Sequence, residues 1–210
     1  QITASESGTK ITFEGGEGSG KSTVIQLLNE YLINNGYQTV LTREPGGVKI
    51  AEQIRNVILD VNNKEMNPKT EAILYAASRV EHLDKRVLPA LGNGQIVLCD
   101  RYLDSSLVYQ GYARGLGIDN VEKINMFALD HLPDITFFFD VTPDIALARI
   151  KNNHREENRL DLEKMEFHQK VYEGYCKLLE IYPDRIKRIN ANQPKEEVFK
   201  AVLEEVEKLL

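Results

Sequence analysis

Apolar positions along the chain recur with two different periods, and each change of period marks a new structural element. Ile11 and Phe13 alternate with polar residues over 10–14, which predicts a short strand. Over 24–32 the apolar residues recur every three to four positions, which predicts an amphipathic helix. Further strands are predicted at 37–42, 96–99, 135–141 and 186–189, and the continuous apolar run at 96–99 is typical of a strand buried on both faces. Strands that alternate with helices form parallel βα units, so the expected fold class is α/β, a three-layer, doubly wound, five-stranded parallel sheet.

The turn between the first strand and the first helix is rich in glycine. Residues 15–22 have the sequence Gly-Gly-Glu-Gly-Ser-Gly-Lys-Ser, which fits the phosphate-binding pattern of Gly, four residues, Gly, Lys and Ser/Thr. Glycines let successive backbone N–H groups turn toward an anion, and the helix N-terminus adds roughly half a positive charge. The alternative is a glycine turn beside a surface lysine, but the flanking strand and helix favour a nucleotide site. Its candidate residues are Gly15, Gly16, Glu17, Gly18, Ser19, Gly20, Lys21, Ser22 and Thr23.

Two of these side chains have a specific expected task. The Lys21 ammonium is expected to reach the β- and γ-phosphates of the nucleotide. The Ser22 hydroxyl is an oxygen ligand of the kind that Mg²⁺ prefers.

Composition and charge narrow the classes of function. The 210 residues suit one domain, and the formal net charge of −6 argues against a nucleic-acid-binding surface. No apolar run approaches the roughly 20 residues of a membrane span. The two cysteines are far apart, and we expect reduced thiols and a cytoplasmic protein. Residues 1–9 are polar, aperiodic and start without Met, so we expect a tag remnant or disordered leader before a single domain at 10–210.

Charged residues follow the predicted strands, where an open parallel sheet binds its ligands. The apolar run 96–99 is followed by Asp100, and a carboxylate at this point is suited to the metal of a bound nucleotide. The alternative role of Asp100 is to cap the next turn. Arginines also lie at predicted strand ends or on nearby helices, which indicates a second, phosphate-bearing substrate. They are Arg43, Arg55, Arg79 and Arg101.

A polar and charged segment at 149–161 interrupts the later helices. One interpretation is a solvated helix end. The other is a mobile lid that brings cations over the transferring phosphates. Its basic residues are Arg149, Lys151, His154, Arg155 and Arg159.

The motifs together resemble bacterial thymidylate kinases, a family of P-loop nucleoside monophosphate kinases. The resemblance runs from about residue 10 to the C-terminus and rests on four motifs in order, at 13–23, 42–47, 100–110 and 158–161. It implies transfer of the ATP γ-phosphate to dTMP, giving dTDP and ADP in dTTP synthesis. It also implies that Mg²⁺ is required and that the enzyme is a homodimer.

The resemblance also implies individual roles for the acceptor side. Tyr75 matches the position that stacks on thymine, although it could instead be a core aromatic, and Arg79 matches a base contact, although it could be a surface ion pair. Arg55 and Arg101 resemble the residues that hold the dTMP phosphate. The full dTMP-binding set is Glu44, Arg55, Tyr75, Arg79, Arg101, Ser105, Ser106 and Gln110.

On the donor side, the phosphate loop contains no arginine, so the resemblance implies a catalytic arginine supplied by the lid. Arg159 is the first candidate, and Arg155 and Arg149 are alternatives that would bind ATP. Glu17 matches an acidic position near the acceptor sugar and the metal. The catalytic set is Lys21, Arg101, Arg159, Glu17 and Asp100, with Ser22 and Asp100 as Mg²⁺ ligands, partly through water.

Two other functions stay open from the sequence. A thymidine kinase of the same fold would have less use for Arg55 and would need a base such as Glu17 or Asp100. A nucleotide-binding module without turnover would bind ATP and transfer nothing.

Overall fold

One sheet of five parallel strands organises the part of the chain that a computed structural model describes, residues 8–152 and 156–210. The strand order is β2-β3-β1-β4-β5, and every neighbouring pair is parallel. β2 and β3 therefore lie on one side of β1, and β4 and β5 on the other, and ligands bind where the strand order switches sides in this way. The strands are β1 (Thr9–Glu14), β2 (Thr39–Arg43), β3 (Ile96–Asp100), β4 (Ile135–Asp140) and β5 (Ile186–Asn190).

Helices connect the strands and cover the sheet. Two segments, Leu83–Val87 and Leu107–Ala113, are π-helical and continue from the α-helices before them. The α-helices are α1 (Lys21–Asn34), α2 (Lys49–Leu59), α3 (Pro68–His82), α4 (Leu88–Gly92), α5 (Leu103–Ser106), α6 (Ile118–Ile124), α7 (Met126–Leu129), α8 (Pro143–Asn152), α9 (Met165–Ile181) and α10 (Lys195–Leu209). Among the described residues, none of these helices is long and apolar enough to cross a membrane.

The core is divided into two apolar clusters, one on each face of the sheet. Phe138 belongs to the cluster under α9, whereas Phe137 and Phe139 belong to the cluster under α1 and α10. Successive side chains of a strand point to opposite faces, so a strand covered on both sides must be apolar throughout. This arrangement confirms the predicted three-layer, doubly wound fold.

The observed boundaries differ from the predicted ones at several places. Strand β1 begins at Thr9, which we assigned to the leader, and β2 begins at Thr39 rather than at residue 37. Helix α8 continues through Asn152 and so includes the first residues of the predicted lid. Most of the predicted leader, together with residues 153–155, lies outside the described residues.

Candidate active site

The glycine-rich turn joins β1 to α1 as predicted, with residues 15–20 in the loop and 21–23 in the first helical turn. Gly18 has a φ of 77°, and a Cβ there would lie 2.2 Å from the Ala146 carbonyl oxygen of α8. A side chain at this position would force the loop away from α8, so glycine is required. The loop folds around the ammonium of Lys21, which donates to the Gly15 carbonyl at 3.3 Å.

Lys21 also meets the end of β3. Its Nζ lies 3.1 Å from Asp100 Oδ1, and Asp100 lines the same cavity as Ser22. Mg²⁺ usually takes one or two protein oxygens and completes its shell with phosphates and waters. The described residues contain no cluster of three or more His, Cys, Asp or Glu that could hold a metal. A hydroxyl and one carboxylate therefore fit an ion that arrives with the nucleotide phosphates.

A cavity of about 350 Å³ opens beside the phosphate loop, at the C-terminal ends of the strands. It brings together side chains from the loop, from the ends of β2 and β3, and from α2, α3, α5 and the π-helical segment Leu107–Ala113. The predicted site residues that line it are Glu17, Ser22, Glu44, Arg55, Tyr75, Arg79, Asp100, Arg101, Ser105 and Gln110.

Arg101 stands where β3 ends, with a φ of 71°, which is rare for a residue other than glycine. Its guanidinium lies 3.0 Å from Glu17 Oε1 and donates to the Ser105 hydroxyl at 3.2 Å. The next residue is held by Glu14, whose buried carboxylate accepts the Tyr102 backbone N–H at 2.7 Å. The strained turn and the fixed side chain aim one cation into the cavity.

Glu14 is a site residue that the sequence analysis missed. Its carboxylate is buried and accepts the hydroxyls of Ser105 at 2.5 Å and Tyr175 at 2.8 Å, and both hydroxyls also contact Arg101. Burial, together with the nearby Asp104, raises the pKa of Glu14. An acid at the end of the first predicted strand, directly before the glycine-rich turn, is the sequence signal that could have identified it.

Arg79 is buried rather than on the surface. Its Nε lies 2.7 Å from Glu44 Oε1, and its Nη1 donates to Asn125 at 2.6 Å and to Ser106 at 3.1 Å. Glu44 also accepts from His82, at 2.7 Å. Burial alone would raise the pKa of Glu44, but Arg79 and His82 outweigh it and lower that pKa. Ser106 therefore contacts Arg79, which lines the cavity, and is not itself among the lining residues.

Two further predicted residues shape the walls of the cavity. Tyr75 is 7% exposed, and burial raises the pKa of its hydroxyl, so the ring presents a neutral aromatic face to the cavity. Arg55 donates from Nη1 to the Pro45 carbonyl at 2.9 Å. Tyr109, which the sequence analysis left out of the site, also lines the cavity and lies under the Arg101 guanidinium at 5.3 Å.

Comparisons with known proteins agree with this geometry. The thymidylate kinase family model matches residues 13–202, and that range includes both the phosphate loop and the cavity. The chain belongs to the thymidylate kinase family. It is 57% identical over 197 residues to the thymidylate kinase of Clostridium novyi (strain NT), covering 93% of this chain and 96% of that protein. It is 54% identical to that of Shouchella clausii, covering 97% and 96%.

A solved structure supports the same assignment. The crystal structure of thymidylate kinase from Ehrlichia chaffeensis superposes with a TM-score of 0.77 at 32% identity, over 95% of this chain and 98% of that chain. The P-loop nucleotide kinase type of fold, expected from the resemblance, is confirmed.

The resemblance to thymidylate kinases implies three candidate lid arginines, and the structure describes two of them, Arg149 and Arg159. Arg149, on α8, donates to the Gly18 carbonyl of the phosphate loop at 3.4 Å and to the Ala191 carbonyl at 3.1 Å. Arg155 lies outside the described residues. Arg159 is buried, donates from Nε to the Ile58 carbonyl at 2.7 Å and forms an ion pair with Glu71.

The position of Arg159 differs from the expectation of a cation over the phosphates. Its guanidinium is instead paired with the buried carboxylate of Glu71 on α3. Of the two predicted lid arginines that the structure describes, Arg149 and Arg159, Arg149 is the one that contacts the glycine-rich loop.

Proposed function

We propose that the protein transfers the γ-phosphate of ATP to dTMP, giving dTDP and ADP in the synthesis of dTTP. The observation that carries this proposal is the shared cavity, in which Glu17 and Ser22 of the phosphate loop face Arg55 and Arg101. Donor and acceptor phosphates would meet end to end in this cavity. Such positioning supplies most of the catalysis that phosphoryl transfer needs.

The side chains support a mechanism based on fixed positive charge. Lys21 would hold the β- and γ-phosphates of ATP, and Arg101 would hold the dTMP phosphate whose oxygen attacks. No strong base is required, because the attacking atom is already a phosphate oxygen. Ser22 and Asp100 would hold Mg²⁺, which neutralises charge on the donor phosphates when it is bound. Arg149, rather than Arg159, is the cation that we assign to the donor side.

The acceptor pocket fits a pyrimidine nucleotide. The ring of Tyr75 would stack on the base, and Arg79 and Gln110 supply polar groups at its edge. Arg55 and Arg101 both face the cavity, and this favours an acceptor that carries a phosphate over thymidine. Glu44 and Ser106 act indirectly, by fixing Arg79.

A coupled ADP-release assay tests the reaction. With ATP and Mg²⁺ present, we expect turnover with dTMP and far less with thymidine or without an acceptor. Arg55→Ala should raise the KM for dTMP about tenfold or more, since it removes a charged hydrogen bond to the phosphate. Preference for thymidine would support the deoxynucleoside kinase, and ATP binding without turnover on any acceptor would support the non-catalytic module.

We also propose that the enzyme is a homodimer formed through α2 and α3. Ile50 and Val57 lie two turns apart on α2 and are 43% and 47% exposed, and Ile73 and Val80 on α3 are 56% and 45% exposed. An apolar face of this kind on two packed helices suits an isologous contact with a second copy. Sedimentation velocity should find a dimer, and Val80→Glu should convert it to a monomer. A monomeric wild-type protein would contradict the proposal.

We assign the reaction to the cytoplasm. Cys99 and Cys176 are free thiols, as a reducing compartment favours.

A further inference from the structure

The amide of Gln110 has one orientation in the acceptor cavity. Its Nε2 donates to Glu71 Oε1 at 2.9 Å. Its Oε1 is buried and has no hydrogen-bond partner within the described part of the chain. Gln110 lines the cavity beside Tyr75 and Arg79, so a ligand bound there would supply a partner that the described residues do not.

Glu71 dictates that orientation. A carboxylate can only accept hydrogen bonds, so the neighbouring amide must turn its NH₂ toward Glu71 and its oxygen away from it. Glu71 is 1% exposed and therefore needs compensation for its charge. Arg114 supplies it through Nε at 3.2 Å and Nη2 at 3.4 Å, and Arg159 through the ion pair described above. Burial would raise the pKa of Glu71, but Arg114, Gln110 and Arg159 lower it, so the group stays ionised.

A base in the cavity would therefore meet a hydrogen-bond acceptor at Gln110. Thymine and uracil carry an N–H at position 3 and can donate to it, whereas cytosine has a lone pair there. A site built to pair a substrate N–H strongly rejects an analogue that lacks it, because the buried group is then left without a partner.

We propose that Glu71 is a positioning residue that locks the Gln110 amide with its oxygen toward the acceptor base, and so selects bases with an N3–H over cytosine. This inference rests on the proposed function. It also assigns a role to Arg159 and Arg114, which keep the carboxylate charged and connect the end of the lid to the base pocket. Arg159 then supports acceptor selection through its ion pair with Glu71 on α3, rather than by contacting the transferring phosphate.

The test compares kcat/KM for dTMP and dCMP in the wild-type enzyme and in Glu71→Gln. A glutamine at 71 can donate as well as accept, so the Gln110 amide is free to turn its NH₂ toward the base. We expect the dTMP:dCMP ratio to fall about tenfold or more, mainly through KM rather than kcat. A loss of folded enzyme lowers both rates equally and leaves the ratio unchanged, which separates positioning from a purely structural role.

Glu163→Gln is the matched control. Glu163 Oε1 lies 2.7 Å from Arg114 Nη1, in the same charge network, whereas the Gln110 amide donates to Glu71. We expect this variant to keep the wild-type ratio. If Glu71→Gln does not fold, Glu71→Asp is the second variant. It keeps a carboxylate for Arg114 and Arg159, but its side chain is one methylene shorter and withdraws from the Gln110 amide, so the dTMP:dCMP ratio should again fall.

The outcomes separate the two levels of inference. Phosphorylation of dTMP with a ratio that neither Glu71 variant changes would overturn the positioning role and leave the proposed function intact. A fall of equal size in Glu163→Gln would also overturn it, since the effect would then belong to the charge network and not to Gln110. Wild-type protein that phosphorylates no dTMP would overturn the proposed function and this inference together.

Discussion

Arg159→Ala decides between the two roles considered for the last lid arginine. The resemblance of the lid sequence to thymidylate kinases implies that Arg159 is a catalytic cation, and its removal should then lower kcat about 100-fold or more. The structure instead buries the guanidinium, 6% exposed, between Glu71 and the Ile58 carbonyl. On this basis we expect the variant to lose stability and to lose less than tenfold in kcat.

The size of the stability loss follows from the contacts. Removing one member of a buried ion pair costs about 3–5 kcal/mol when the remaining charge is left alone. Glu71 keeps Arg114 at 3.2 Å, so we expect a smaller loss, about 2 kcal/mol, as for a hydrogen bond to a charged group. For a chain of this length, 1 kcal/mol shifts Tm by about 2–4 °C, so Tm should fall by about 4–8 °C.

The assay measures kcat with saturating ATP and dTMP well below the variant's Tm, and Tm by thermal unfolding. Arg149→Ala provides the comparison, because its guanidinium contacts the donor loop. We expect that variant to lose about tenfold or more in kcat/KM for ATP. Arg159→Ala with an unchanged Tm and a kcat about 100-fold lower would refute the reasoning, because Arg159 would then have to leave Glu71 and act on the phosphates.

Substitutions at three further positions test other parts of the site. Lys21→Met should lower kcat about 100-fold or more at saturating ATP in the coupled assay, and wild-type turnover would exclude a role for the ammonium. Tyr75→Leu should raise the KM for dTMP about tenfold, whereas Tyr75→Phe, which keeps the ring, should change it little; equal effects would argue against stacking. Glu44→Gln leaves the buried Arg79 unpaired and should lower stability by about 3–5 kcal/mol at pH 7. The pKa of Glu44 is lowered in the folded protein, so its stabilisation is complete above the ordinary value of 4.5 and is lost as the pH falls. The Tm difference between wild type and this variant should therefore shrink below that pH, and a constant difference would count against the ion pair.

The sequence was sufficient for the parts of the fold that depend on local signals. The change of period around residues 15–22 predicted the strand, loop and helix, because glycines and a lysine at that spacing leave few alternatives. The strand predicted at 135–141 is β4, and the structure divides its three phenylalanines between the two faces of the sheet. The π-helical segment Leu107–Ala113 could not be predicted, because the hydrophobic period does not indicate where a helix accommodates an extra residue.

Pairings between distant residues were the harder part of the site. The sequence allowed a surface ion pair for Arg79, but the partner Glu44 is 35 residues away and both are buried. Glu71 and Arg159 are 88 residues apart, and the sequence gives no sign that they meet. Such contacts depend on how α3 packs against the segment after α8, and single-sequence patterns do not encode that packing.

Two cations of the site, Lys21 and Arg101, are paired with carboxylates in the absence of substrate. Lys21 lies 3.1 Å from Asp100, and Arg101 lies 3.0 Å from Glu17. The carboxylates keep these cations in place at a lower desolvation cost, and a phosphate must share or replace them in order to bind. Part of the attraction between cation and phosphate is then offset by the lost pair, so substrates and products are held less tightly than bare cations would hold them. Fixed cations such as Lys21 and Arg101 would stabilise the transition state more than the bound substrates, because the charge of the transferring group is then spread over its oxygens.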